Sequence, residues 1–361
     1  MDDMRAALYD RYGPPEVLYE GRVPVPGLRQ GEVLVRVHAT SVNGGELYGR
    51  AGRVRLVTGR RFPLRTGMDF AGEIARVDGA VKGLREGDRV WGLLGRTFGS
   101  AAEYVAVRPR QLSYAPVNIS LVEAASLPAG TTAITALETK AGLKAGERLL
   151  VRGGAGGIGS VAVQLGKALG AHVTALAGGK NLDLVRELGA DEAYSYTTTG
   201  PEDLGTFDVV LDTVGTEHRA FRRLLAPGGR MVSIAFDIDH PGASLSYLLA
   251  STVHGSRRVR FFSGNPKHDL FARLTRYVES GAIRPVVDTV HPLSGIAAAH
   301  RALEAGGVRG KHVIQVVPTS PEPGRRYRRL IPATNEAQAL VRNTSAGPSV
   351  TLESRTGTTS G

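Results

Sequence analysis

Up to about residue 125 the chain alternates apolar and polar positions over short stretches, as in EVLVRVHAT (32–40), EIARV (73–77) and EYVAV (103–107). A period of two marks strands with one buried face, and turn signals such as REGDR (85–89) separate them. The pattern predicts a compact domain rich in antiparallel strands.

From Ala129 onward strands and helices alternate instead. The text predicts strands at 148–152, 172–177, 207–214 and 229–235, with helices at 157–169, 181–188 and 217–225 between them. This is the order of a doubly wound parallel sheet, which RVRFF (258–262) closes as a last strand. Helices near 267–280 and 294–305 then frame strands at 285–290 and 312–317. The resulting fold class is α/β, with a β-rich domain over 1–128 and 266–317 and a nucleotide-binding domain over 129–265. Residues 318–361 lose periodicity, become rich in Pro, Gly, Ser and Thr, and are expected to be disordered.

Composition narrows the chemistry. The 361 residues include no cysteine, which removes disulfides, thiol nucleophiles and every thiolate metal site. The nine histidines occur singly, without an HExxH-type pair, so no metal is expected. No run approaches a membrane span, and the start, MDDMRAALYDRYGPP, is acidic where a secretory signal is basic. A soluble cytoplasmic enzyme is expected. The net charge of +11 comes from 38 arginines and seven lysines, mostly dispersed, which argues for a solvated surface rather than nucleic-acid recognition.

The strongest motif is Gly154-x-Gly156-x-x-Gly159, which directly follows one predicted strand and opens a helix. That context is what pyrophosphate binding requires: glycines let the backbone approach, and the helix N-terminus presents free N–H groups. Gly154, Ala155, Gly156, Gly157, Ile158 and Gly159 are therefore candidate cofactor contacts. The next strand ends in Gly178-Gly179-Lys180-Asn181, where an NAD enzyme carries an acid for the ribose hydroxyls. No acid occurs between Glu147 and Asp183. An ammonium pairs with a 2′-phosphate that a carboxylate would repel, so Lys180 points to NADPH, with Gly178, Gly179 and Asn181 shaping the pocket.

Around the glycines, Gly146, Glu147, Leu150, Val151, Gln164 and Lys167 also fit a longer signature. In order and spacing the stretch resembles the quinone oxidoreductase and zeta-crystallin branch of the medium-chain dehydrogenase/reductase superfamily. The start RAALYDRYGPPEVL, the segment ATSVNGGELYGRAG (39–52) and RTGMDFAGEI (65–74) resemble it as well. The resemblance covers residues 4–317 and implies a GroES-like catalytic domain joined to a Rossmann domain, in a homodimer. Zinc-dependent relatives carry a cysteine near position 43 and a His-Glu pair at Met68-Asp69, and both are absent here.

The resemblance further implies that Asn43 orients the nicotinamide or the substrate carbonyl, and that Tyr48 either donates its phenol proton or walls the pocket. Asp69 either caps a buried turn or acts on substrate. Thr132 and Tyr196 are implied on the cofactor side, with Val214, Gly215, Phe262 and Ser263 near the nicotinamide and Lys311 in a Gly-Lys pair near the end of the fold.

The expected activity is NADPH-dependent, metal-free hydride transfer to a quinone or an α,β-unsaturated carbonyl, both small molecules. Six arginines between Arg50 and Arg65 either form a solvated loop or attract an anionic thioester. Two other readings remain: a pathway-specific enoyl reductase, and a zeta-crystallin-like nucleotide-binding protein with RNA affinity and little turnover.

Overall fold

The computed structural model describes residues 3–55, 61–95, 97–235, 259–262 and 264–317. Arg60, Ser263 and the segment 318–361 lie outside them. The chain opens with β1 (Asp3–Tyr9) and β2 (Tyr19–Pro24), an antiparallel pair with Ala6 opposite Gly21. There follow β3 (Val33–Ser41), helix α1 (Gly44–Arg50), β4 (Leu64–Arg65), β5 (Asp69–Val77), β6 (Arg89–Leu93), β7 (Tyr104–Val107) and β8 (Leu112–Tyr114). Val33, Val35 and Val37 alternate into the core from β3, as the period-two pattern requires.

The second half begins with β9 (Arg148–Arg152), α2 (Gly157–Ala168), β10 (His172–Ala177), α3 (Leu182–Glu187) and β11 (Glu192–Ser195). It continues with β12 (Phe207–Asp212), α4 (His218–Arg223), β13 (Leu225–Ser233) and β14 (Val259–Phe261). These strands form one six-stranded sheet, all parallel, in the order β11-β10-β9-β12-β13-β14. Numbered from β9, that is 3-2-1-4-5-6, the doubly wound order that puts a nucleotide at the carboxyl ends of the central strands. Leu149, Leu150 and Val151 are wholly buried, because helices cover both faces of the sheet.

After the sheet come α5 (His268–Glu279), β15 (Val287–Pro292), α6 (Ile296–Glu304) and β16 (Lys311–Gln315). β15 and β16 join the first domain's seven-stranded sheet, β16 pairing antiparallel with β3 through Val313 and Ser41. Just before β16, Gly310 bridges to Gly156, and its N–H donates to the Ala155 carbonyl at 2.7 Å. One strand thus ties the first domain's sheet to the glycine loop of the other domain, and Lys311 stands at that junction. Among the described residues, no helix is long and apolar enough to cross a membrane.

Candidate active site

The glycine turn is built as the motif requires, with one shift of role. The left-handed residue is Gly153 (φ 74°), ahead of the three motif glycines. A side chain there would collide with the Thr213 hydroxyl, so only glycine serves. Gly154 is buried beneath the loop, where an added Cβ would stand 3.0 Å from that of Ala175, and Ala155 is buried beside it. Gly156, Gly157, Ile158 and Gly159 face an open cleft of ≈ 530 Å³ between the two domains.

Across the cleft stand Asn43, Tyr48 and Lys311, with Thr132, Val214 and Phe262 along its walls. Tyr48 is 38% exposed. Gly215 lies behind the wall with φ 92°, and its N–H, like that of Val214, is held by the buried Asp212 carboxylate. Arg152 secures Asp212 in turn at 2.8 Å while stacking on Phe221.

Asn43, at the N-terminus of α1, is the centre of a buried polar cluster. Its Nδ2 donates to Glu46 Oε1 and to Asp69 Oδ2, both at 2.9 Å. Its Oδ1 accepts from the Lys311 ammonium, which also donates to the Val42 carbonyl at 3.2 Å. The amide's two protons are thus directed to two carboxylates, leaving Lys311 as the cationic donor of the cluster that borders the cleft. Asp69 also accepts from the Ser41 backbone N–H and hydroxyl, at 2.7 and 2.6 Å. It therefore fixes the end of β3 and holds the Asn43 amide from beneath the cleft.

Glu46 is 1% exposed, and four donors converge on it. These are the Asn43 backbone N–H and side-chain amide, the Thr66 hydroxyl and the Gly67 N–H, the last two at 3.0 Å. Burial, aided by the Asp69 carboxylate, nevertheless pushes the Glu46 carboxyl up to about 7. Burial likewise pushes the Lys311 ammonium down, opposed by Asp69 and Glu46. Sequence reasoning passed over Glu46, although Asn43-x-x-Glu46 is a capping-box spacing that could have marked it.

The adenosine-side candidates gather at the end of β10. Lys180 is exposed and lies against Gly307, whose added Cβ would stand 2.9 Å from the ammonium. The Tyr196 hydroxyl would lie 3.4 Å from a Cβ on Gly178, and Ser195 flanks Gly179. Asn181 is buried and donates to the carbonyls of Gly307 and Val308 at 3.3 and 3.4 Å, so it anchors the turn from below. Ser263 lies outside the described residues.

The basic segment divides. Arg50 is buried and paired with Glu304, so it is not part of a solvated loop. Arg53, Arg55 and Arg61 are exposed, Arg65 is half-buried, and none of these five lines the cleft.

A Rossmann sheet and a β-rich domain facing one another across such a cleft define a medium-chain dehydrogenase/reductase, and the comparisons with known proteins agree. Residues 29–117 match the family described as the alcohol dehydrogenase GroES-like domain, and 188–314 that of zinc-binding dehydrogenases. The chain is 36% identical to 2-methylene-furan-3-one reductase of Solanum lycopersicum over 88% of this chain and 80% of that protein. It is 34% identical, with the same coverage, to an NADPH-dependent alkenal/one oxidoreductase of Arabidopsis thaliana. The quinone oxidoreductase of Coxiella burnetii superimposes with a TM-score of 0.80 at 30% identity, over 88% of this chain and 100% of that one. The chain belongs to the quinone oxidoreductase branch of the medium-chain dehydrogenase/reductase superfamily.

The zinc in one family description does not fit these residues. An amide stands at position 43, the oxygens of Glu46 and Asp69 are taken up by hydrogen bonds, and a lysine ammonium occupies their midst. Among the described residues no group of three His, Cys, Asp or Glu is placed to hold a metal ion.

Proposed function

We propose that the protein is an NADPH-dependent, metal-free reductase delivering hydride to a quinone or an α,β-unsaturated carbonyl. The observation that carries this reading is the cleft in which the glycine loop meets Lys311, Asn43 and Tyr48. Gly156 to Gly159 and the N-terminus of α2 would hold the pyrophosphate, Lys180 the 2′-phosphate, and Thr132, Val214 and Phe262 the nicotinamide end. The bound cofactor supplies the hydride. The chain supplies placement and charge.

As hydride reaches the acceptor, negative charge grows on its oxygen, as a phenolate or an enolate. Lys311 presents a cation at the cleft without any metal, and a preorganised donor in a partly dry site stabilises such charge by several kcal/mol, roughly 3. Asn43 holds the ammonium in place through its carbonyl, and Asp69 and Glu46 hold Asn43. The enone and quinone names of the relatives favour these acceptor classes.

The test is steady-state consumption of NADPH with simple enones, quinones and enoyl thioesters. Turnover with an enone or quinone, and a clear preference over NADH, supports the reading. Saturable NADPH binding without oxidation by any of the three classes would contradict it.

A further inference from the structure

Behind the Asn43 and Lys311 side chains that line the cleft lie two buried carboxylates, Glu46 and Asp69, so the charges of this group do not cancel when both acids are ionised and the lysine is protonated. Glu46 and Asp69 each accept from the same Asn43 amide, and Lys311 lies 3.9 Å from Asp69 Oδ2. With Asp69 ionised and Lys311 protonated, the cluster is neutral when Glu46 carries its proton. With Glu46 ionised it carries one net negative charge. Tyr9, which also interacts with Glu46, is pushed up to about 12 by burial and stays neutral near pH 7. Glu46 is the carboxyl of this cluster that burial raises to about 7, and it does not itself line the cleft.

The oxidised nicotinamide ring is cationic and the reduced ring is neutral. A net negative charge in a low-dielectric wall distinguishes them, because it attracts one and is indifferent to the other. We propose that Glu46 is a positioning residue that sets the charge of the Asn43–Asp69–Lys311 cluster and, through it, the preference of the cleft for oxidised over reduced nicotinamide. This rests on the reading that the nicotinamide binds in this cleft.

A carboxyl raised toward neutrality by burial fits that role, since its charge changes in the range where the enzyme would work. By linkage, oxidised cofactor that prefers ionised Glu46 must also favour its deprotonation. The development of positive charge on the ring as hydride leaves would be assisted in the same way. Lys311, which lines the cleft, would stabilise the opposite charge on the acceptor. The one cluster thereby holds both signs where each is needed.

The test is the ratio of dissociation constants for NADP⁺ and NADPH, measured by fluorescence or calorimetry between pH 6 and 8. The 2′-phosphate is present in both forms, so its own titration cancels in the ratio. The ratio should fall, on the order of tenfold, as pH rises through about 7 in the wild type. It should be flat in Glu46→Gln. Asp69→Asn removes the like charge that raises Glu46, so it should move the midpoint to lower pH. This second variant serves if the first does not fold.

A flat wild-type ratio, or an unchanged pH dependence in Glu46→Gln, overturns the inference while leaving the proposed function standing. Failure to bind either nucleotide overturns both.

Discussion

The stem of Lys311 lies directly on Gly157, the first residue of α2: a Cβ on that glycine would stand 2.5 Å from Lys311 Cε and 2.8 Å from Cδ. The glycine loop therefore does two jobs with neighbouring residues. Gly156 faces the cleft, and Gly157 lets a lysine cross from β16 to the Asn43 amide.

That division predicts different defects for two similar substitutions. Gly157→Ala should displace the lysine stem and lower kcat by roughly 10- to 100-fold, a larger effect than on nucleotide affinity. Gly156→Ala, whose added Cβ meets nothing closer than the Gly153 carbonyl at 3.4 Å, should mainly raise the KM for NADPH. Steady-state kinetics of the two variants, with circular dichroism to confirm folding, checks this.

Lys180→Glu should shift cofactor preference toward NADH. Losing a charge-assisted contact to the 2′-phosphate costs about 1.5–3 kcal/mol, or roughly 10- to 100-fold in kcat/KM for NADPH, and the new carboxylate can accept from a ribose hydroxyl of NADH. Unchanged NADPH kinetics would refute the assignment. Because Lys180 is exposed, thermal stability should change little.

Glu46 makes stability depend on pH in a defined direction. Its carboxyl is raised in the folded chain from 4.5 to about 7, so the folded state binds more protons in that window and loses stability as pH rises through it. The loss is on the order of 3 kcal/mol. Glu46→Gln should gain on the wild type by that amount between pH 4.5 and 7, as read from denaturant midpoints at each pH.

His300 acts in the opposite sense. It is fully buried on α6, neither ring nitrogen has a partner among the described residues, and burial with Arg50 nearby pushes it from 6.5 down to about 3. The unfolded chain binds the extra proton, so stability is lost as pH falls below 6.5. Compared with the wild type, His300→Leu should lose less stability between pH 6.5 and 4, by a few kcal/mol, and be no less stable at pH 7. The windows of Glu46 and His300 overlap with opposite signs, so each is read as a difference from the wild type.

The central sheet was legible because its strands are buried on both faces and read as unbroken apolar runs: β9 and β10 fall at 148–152 and 172–177 as the text predicts. β11 was missed, since four edge residues, Glu192–Ser195, with two polar members carry little period. Helix α1 was hidden by two helix-poor glycines at its start, and with it went Glu46, whose role depends on Asp69 and Lys311 arriving from strands far along the chain. Gly153 was overlooked because the motif can be counted from Gly154, and only backbone geometry shows which glycine takes the left-handed turn. Arg50 looked like one of a basic run, whereas its partner, Glu304, is supplied by a helix more than 250 residues away.

The most direct test of hydride transfer from NADPH to carbon uses cofactor deuterated at nicotinamide C4 and a simple enone. The account predicts saturated product carrying one deuterium at the β-carbon, from one prochiral label only. Product without the label, or NADPH bound and left unoxidised in the presence of both enone and quinone, would contradict it.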